Sequence, residues 1–189
     1  MVDKITSSVA PAIYSYQQPT ENPLKQVDIP EIKNAMTDPW KSIVQHKRAR
    51  QLAAIPVSWR LSTPTSSSQT TLETIYSCGI LTPEELRWTE ITEISDLLSR
   101  LASREVSSVQ LTTAFCKRAA IAQQLTKCLT EIFFDKALDR AKELDEHLSK
   151  TGEVVGPLHG LPVSVKDRFD VEGYDTTVGM FTSLSSLVV

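Results

Sequence analysis

The stretch Gly156-Pro157-Leu158-His159-Gly160-Leu161-Pro162-Val163-Ser164-Val165-Lys166-Asp167 decides how this chain is read. Two Gly/Pro turns bring the backbone in, and Val163 and Val165 alternate with Ser164 before charge appears at Lys166 and Asp167. That is the pattern of a short strand carrying a cation to the edge of a core. Shortly beyond it, Gly173-Tyr174-Asp175-Thr176-Thr177-Val178-Gly179 supplies a polar loop whose glycines let backbone approach a ligand.

Just upstream, residues 128–134 are short and β-favouring and end at Asp135, a good cap for a following helix. Ala137, Ala141, Leu144 and Leu148 then step at helical spacing, with Lys150 and Gly152 as the stop. The expectation is a strand-helix-strand unit with parallel strands and a right-handed crossover. In open α/β sheets ligands collect outside the carboxyl ends of such strands, and Lys166 stands at one of them.

Further back the signals are helical. Leu81-Thr82-Pro83-Glu84-Glu85-Leu86 combines a cap, a proline at the first helical position, a capping-box glutamate and a hydrophobic staple. Ile91, Ile94, Leu98 and Leu101 recur at helical spacing. Leu111, Ala114, Phe115, Ala119 and Ala122 form the apolar face of a second helix, for which Ser107 and Gln110 form a capping box. Residues 62–71 are nearly all Ser, Thr, Pro and Gln and read as loop. Pro56 predicts an extended apolar arm over residues 55–61. A helix is expected from Asp38 and Pro39 to about Ala54, with Trp40, Ile43, Val44 and the stem of Lys47 on one face. Its basic run His46-Lys47-Arg48-Ala49-Arg50 has no aromatic interleaving and reads as a solvated helix face rather than an anion or import patch. Residues 1–37 have the composition of a flexible arm.

Composition narrows the classes. The 189 residues, 41% hydrophobic and 23% charged, suit a globular domain. A net charge of −3 with scattered cations gives no field for nucleic acid. Cys78, Cys116 and Cys128 have no paired spacing, and His46, His147 and His159 lie far apart, so neither a disulfide framework nor a metal or other cofactor is expected. The absence of a long apolar run predicts no membrane span, and the default compartment is the cytoplasm.

Lysine works as a base only when neutral, and apolar walls favour the neutral form. Val163, Val165 and Phe169 are the candidate wall. A neutral lysine can draw a proton from a serine hydroxyl and so activate it against a carbonyl. The other reading is a solvated lysine at a strand end, paired with Asp167 or Asp170. Spacing alone favours the solvated lysine.

The block from Gly156 to Asp167, followed by the loop from Gly173 to Gly179, resembles the first signature block of the amidase signature family. Trp40, Lys47-Arg48, the run Ile55-Pro56-Val57-Ser58-Trp59-Arg60-Leu61, the Leu81-Thr82 helix start and Leu129-Thr130-Glu131-Ile132-Phe133-Phe134-Asp135 are similar to its fungal general amidase and acetamidase branch. The resemblance implies an α/β fold, with a mixed sheet flanked by helices that is incomplete here. It also implies hydrolysis of small-molecule carboxamides to carboxylate and ammonia by a Ser–cis-Ser–Lys triad, without a cofactor. Lys166 matches the catalytic lysine, Asp167 a supporting acid, and Thr176, Thr177 and Gly179 a loop near the substrate; His159 matches no catalytic position and reads as structural.

The two serines of the family lie in a Gly/Ser-rich block that this sequence lacks. Ser183, Ser185 and Ser186 have no glycines beside them to form the turn and converging amides of an oxyanion hole. Family members run to roughly two to three times this length. The expected organisation is therefore a flexible arm at 1–37, the amino-terminal part of an amidase domain at 38–180 and a divergent tail at 181–189. The expected product is a truncated or misjoined chain, inactive alone. Two alternatives stand beside this: a non-catalytic helical interaction module, and an amide-transferring subunit acting on charged transfer RNA, against which the residue 40–61 arm argues.

Overall fold

The computed structural model describes residues 39–62 and 69–178. The arm at 1–37, Asp38, Gly179, the serines at 183, 185 and 186 and the tail at 181–189 lie outside the described residues. Among the described residues six α-helices follow in order: α1 (Pro39–Ala53), α2 (Thr71–Ser77), α3 (Pro83–Trp88), α4 (Ile94–Ala102), α5 (Ser108–Thr126) and α6 (Phe134–Thr151), with a 3-10 turn at Val57–Trp59 between α1 and α2.

Local capping explains most of these boundaries. Thr82 accepts the Glu85 amide at 3.2 Å while Glu85 accepts the Thr82 amide at 2.8 Å, and Ser107 and Gln110 repeat the exchange at the start of α5. Thr70 and Glu73 form a third box, which starts α2 inside a stretch whose composition reads as loop. Gly152 closes α6 at φ 76°, in the left-handed region that glycine tolerates. Asp135 lies in the first turn of α6 instead of capping it, because Phe133 takes the cap position.

The body is organised around α5, which packs against α6, α3, α2 and the 3-10 turn. Its residues enter all three core clusters. Leu111 joins Leu97, Leu101 and Val106; Ile121 joins Ile75 and Leu81; Cys116 and Ala120 join Ile55, Ile132 and Phe134. Leu111, Ala114, Ala120 and Ile121 retain no exposure. Each large aliphatic so buried contributes about 2 kcal/mol. In α4 the buried residues are Leu97 and Leu101, while Ile94 of the expected stripe faces out. The 55–61 segment packs as expected, with Ile55 buried and Trp59 against Phe134 at 5.8 Å, but it turns instead of extending. The Trp59 and Arg60 amides close the turn on the Pro56 and Val57 carbonyls at 2.9 and 3.1 Å, and the Arg60 side chain donates back to the carbonyls of Ile55 and Leu52, both at 3.0 Å.

The expected sheet is not there. Among the described residues no strand forms, so the α/β reading with a mixed sheet is corrected to a helical body with irregular connections. At residues 128–134 side chains occupy the backbone groups that a ladder would use. Gln123 accepts the Leu129 amide at 2.6 Å, and Gln51 donates to the carbonyls of Leu129 and Thr130 at 3.2 and 2.9 Å. Among the described residues none pairs with 161–166, and a strand exists only as one member of a pair.

Candidate functional site

Residues 155–178 leave α6 and cross the start of α5. His159 is buried, and its Nδ1 accepts the Val155 amide at 3.2 Å. Burial lowers the pKa of its imidazole, with Asp145 opposing. This neutral, turn-holding role is the structural one expected for it. Its Nε2 and the Ser108 hydroxyl are both buried without a hydrogen-bond partner. Gly160, at φ 74°, sits so tightly on α5 that a Cβ there would collide with Ser108 Oγ and come within 3.0 Å of Leu101 Cδ2. Asp145 of α6 accepts the Ser108 and Val109 amides at 2.7 and 3.0 Å, filling the open donors of the α5 amino terminus. Leu161 still touches the core, and after it the chain emerges.

From there the segment is exposed. Val163, Val165 and Phe169 retain 72%, 49% and 65% of their surface, and Lys166 is exposed with them. The apolar wall expected around the lysine is therefore not assembled within the described residues. The Lys166 carbonyl accepts the amides of Arg168 and Phe169 at 2.6 and 3.1 Å, which turns the chain back. Asp167 is turned to the polar loop: Oδ1 accepts the Thr177 amide at 3.1 Å and Oδ2 the Thr177 hydroxyl at 2.7 Å. Thr177 is buried, while Thr176 donates to the Phe169 carbonyl at 3.4 Å. The structure thus brings Asp167 and Thr177 together next to Lys166.

One charged cluster was not legible as a site. Lys47 and Arg50 of α1 meet Glu131 and Asp175, so the basic run expected to be a solvated face is partly engaged. Burial tends to raise the Asp175 pKa, but the Lys47 and Arg50 bonds overcome it and hold the carboxyl below its usual value. Lys47, Arg50 and Gln51 share one helix face by their spacing of three and four.

An open, largely apolar groove of about 730 Å³ runs between α5, α6 and the emerging segment, with Phe115, Ile132, Val163 and Lys166 among its lining. Cys116 borders it, but burial pushes its thiol up to about 12, leaving it a protonated packing group at neutral pH. Among the described residues no group of His, Cys, Asp and Glu is arranged to hold a metal ion, and no helix is long and apolar enough to cross a membrane.

The structure is similar to fatty acid amide hydrolase with a TM-score of 0.73 and 30% identity, over 88% of this chain and 30% of that one. The family model for amidases matches residues 110–185, a range that includes Lys166 and Asp167. An amidase of Gibberella moniliformis is 48% identical over 146 residues, which are 74% of this chain and 28% of that protein. An acetamidase of Emericella nidulans is 45% identical over 150 residues, 79% and 27% of the two chains. Over residues 110–185 the chain matches the amidase family, and it is similar to fungal amidases and acetamidases. It spans roughly a quarter of the length of these relatives.

Proposed function

We propose that this chain carries the lysine base of an amidohydrolase that converts small carboxamides to carboxylate and ammonia. The observation that carries the reading is the position of Lys166-Asp167 inside the family match, with Asp167 bound to Thr177. In the proposed reaction Lys166 takes a proton from a serine hydroxyl through a second serine, and the activated oxygen attacks the amide carbon. The proton passes to the leaving nitrogen, ammonia departs, and water releases the carboxylate from the acyl-serine. Asp167 and the Thr176-Thr177-Gly179 loop are assigned to supporting the lysine and bordering the substrate.

A Gly/Ser-rich block with converging amides is needed to complete this chemistry, and these 189 residues contain none. The reading therefore makes two statements that one experiment tests. The chain alone should release no ammonia from acetamide and should not label with a fluorophosphonate. Joined to the part of the Gibberella moniliformis amidase that it does not cover, it should turn over, and Lys166→Ala should abolish that turnover. Turnover by the chain alone, or a joined protein indifferent to Lys166→Ala, would overturn the proposal.

A further inference from the structure

The cluster around Lys47 joins three parts of the chain that are far apart in sequence. Lys47 Nζ pairs with Glu131 and lies 2.8 Å from Asp175 Oδ2. Arg50 Nη2 reaches Glu131 Oε1 at 3.1 Å and Asp175 Oδ2 at 2.9 Å. These are not ordinary surface pairs. The Lys47 side chain is 14% exposed, and those of Glu131 and Asp175 are 11% exposed, while only Arg50 is open to solvent at 52%. Two carboxylates held this close to each other repel, and Lys47 is the buried charge that offsets the repulsion.

The consequence travels along a short covalent path. Asp175 is followed by Thr176 and then Thr177, and Thr177 holds both oxygens of Asp167, the neighbour of Lys166. The same loop is braced at its other end. Tyr174 packs on Phe133 at 4.6 Å between ring centres, and Lys136 lies 4.7 Å above the Tyr174 ring. Phe133 and Glu131 belong to one connection, and Gln51 of α1 fastens that connection through its carbonyls. One face of α1 therefore grips both the 128–133 connection and the 172–177 loop.

We propose that Lys47 and Arg50 are positioning residues, which hold the 172–177 loop through Asp175 and thereby set, through Thr177 and Asp167, where Lys166 stands. The part concerning loop position stands on geometry alone. The part concerning catalysis rests on the amidase reading above.

The test reads amide exchange by NMR in the purified 189-residue chain, at Thr177 and Tyr174, whose amides are bonded to Asp167 and to the Val171 carbonyl at 3.1 and 3.0 Å. Lys47→Met and the isosteric Asp175→Asn should each speed exchange at these two positions by about tenfold or more, equivalent to about 1.4 kcal/mol of local opening, while α5 amides keep their protection. Lys47→Arg should restore exchange to near the parent rate. Lys117→Met is the control: it breaks the Lys117–Glu85 pair, buried to a similar degree at 16% and 11% exposure, and should leave Thr177 unchanged. Unchanged exchange at Thr177 in both Lys47→Met and Asp175→Asn would overturn the proposal, as would an equal acceleration by Lys117→Met, which would mark a general loosening. In the joined protein described above, Lys47→Met should lower kcat with KM nearly unaltered. A joined protein that turns over but ignores Lys47→Met would sink the catalytic part. A joined protein with no activity counts against the amidase reading, and the exchange result still decides the loop.

Discussion

Helix α5 and the segment from 161 to 171 are both rich in aliphatic and aromatic residues, yet their fates are opposite. In α5, Leu111, Ala114, Ala120 and Ile121 keep no exposure, whereas Val163 and Phe169 keep 72% and 65%. The difference lies in the backbone. A helix pairs its own amides and carbonyls and can carry an apolar face into a core unaided. An extended segment leaves its polar groups open until another chain runs beside it, so its apolar side chains stay out with them. The lysine of the proposed chemistry sits in the second kind of region and borrows its order from the first.

Gly160 is the joint between the two regions, and breaking it should have the largest effect. Gly160→Ala adds left-handed strain of about 1–2 kcal/mol and overpacking against Ser108 and Leu101 of about 1–3 kcal/mol, and the chain should lose about 4 kcal/mol in urea unfolding. A loss below about 1 kcal/mol would mean that the emerging segment is not seated on α5. Next comes the packed side. Leu111→Ala empties a fully buried position and should cost about 3 kcal/mol by the same measurement. Asp145→Ala removes the acceptor of two α5 amides, and about 1–2 kcal/mol should follow. Smallest is the exposed side. The double change Val163→Ser and Val165→Ser should alter stability by less than about 0.5 kcal/mol while lowering the fluorescence of an apolar-surface dye bound along the groove. Equal destabilisation by this pair and by Leu111→Ala would erase the contrast between the two regions.

What could be read in advance follows the same line. The boxes at Thr82–Glu85 and Ser107–Gln110 and the Gly152 stop were legible because every partner lies within a turn. Helix α2 carried the same signal at Thr70 and Glu73, hidden in a run of serines and threonines that reads as loop. The strands at 128–134 and 163–166 were not legible as absent, since alternation reports what a segment would do beside a partner and not whether one is there. Asp167 and Thr177 were both in quoted motifs, but their bond was not. The Lys47 cluster was out of reach, because Glu131 and Asp175 lie 84 and 128 residues away along the chain.

By itself the sequence determined helices α1, α3, α4 and α5, the caps at Thr82 and Ser107, the Gly152 stop, the amidase signature block and the lysine within it, all of which depend on residues close together in the chain. The tertiary structure alone decided that α5 is the hub, that Asp167 answers to Thr177, and that Lys47 reaches Asp175. It also decided that Lys166 stands in solvent. Burial and ion pairing are properties of neighbours in space, and for this lysine the described neighbours are few.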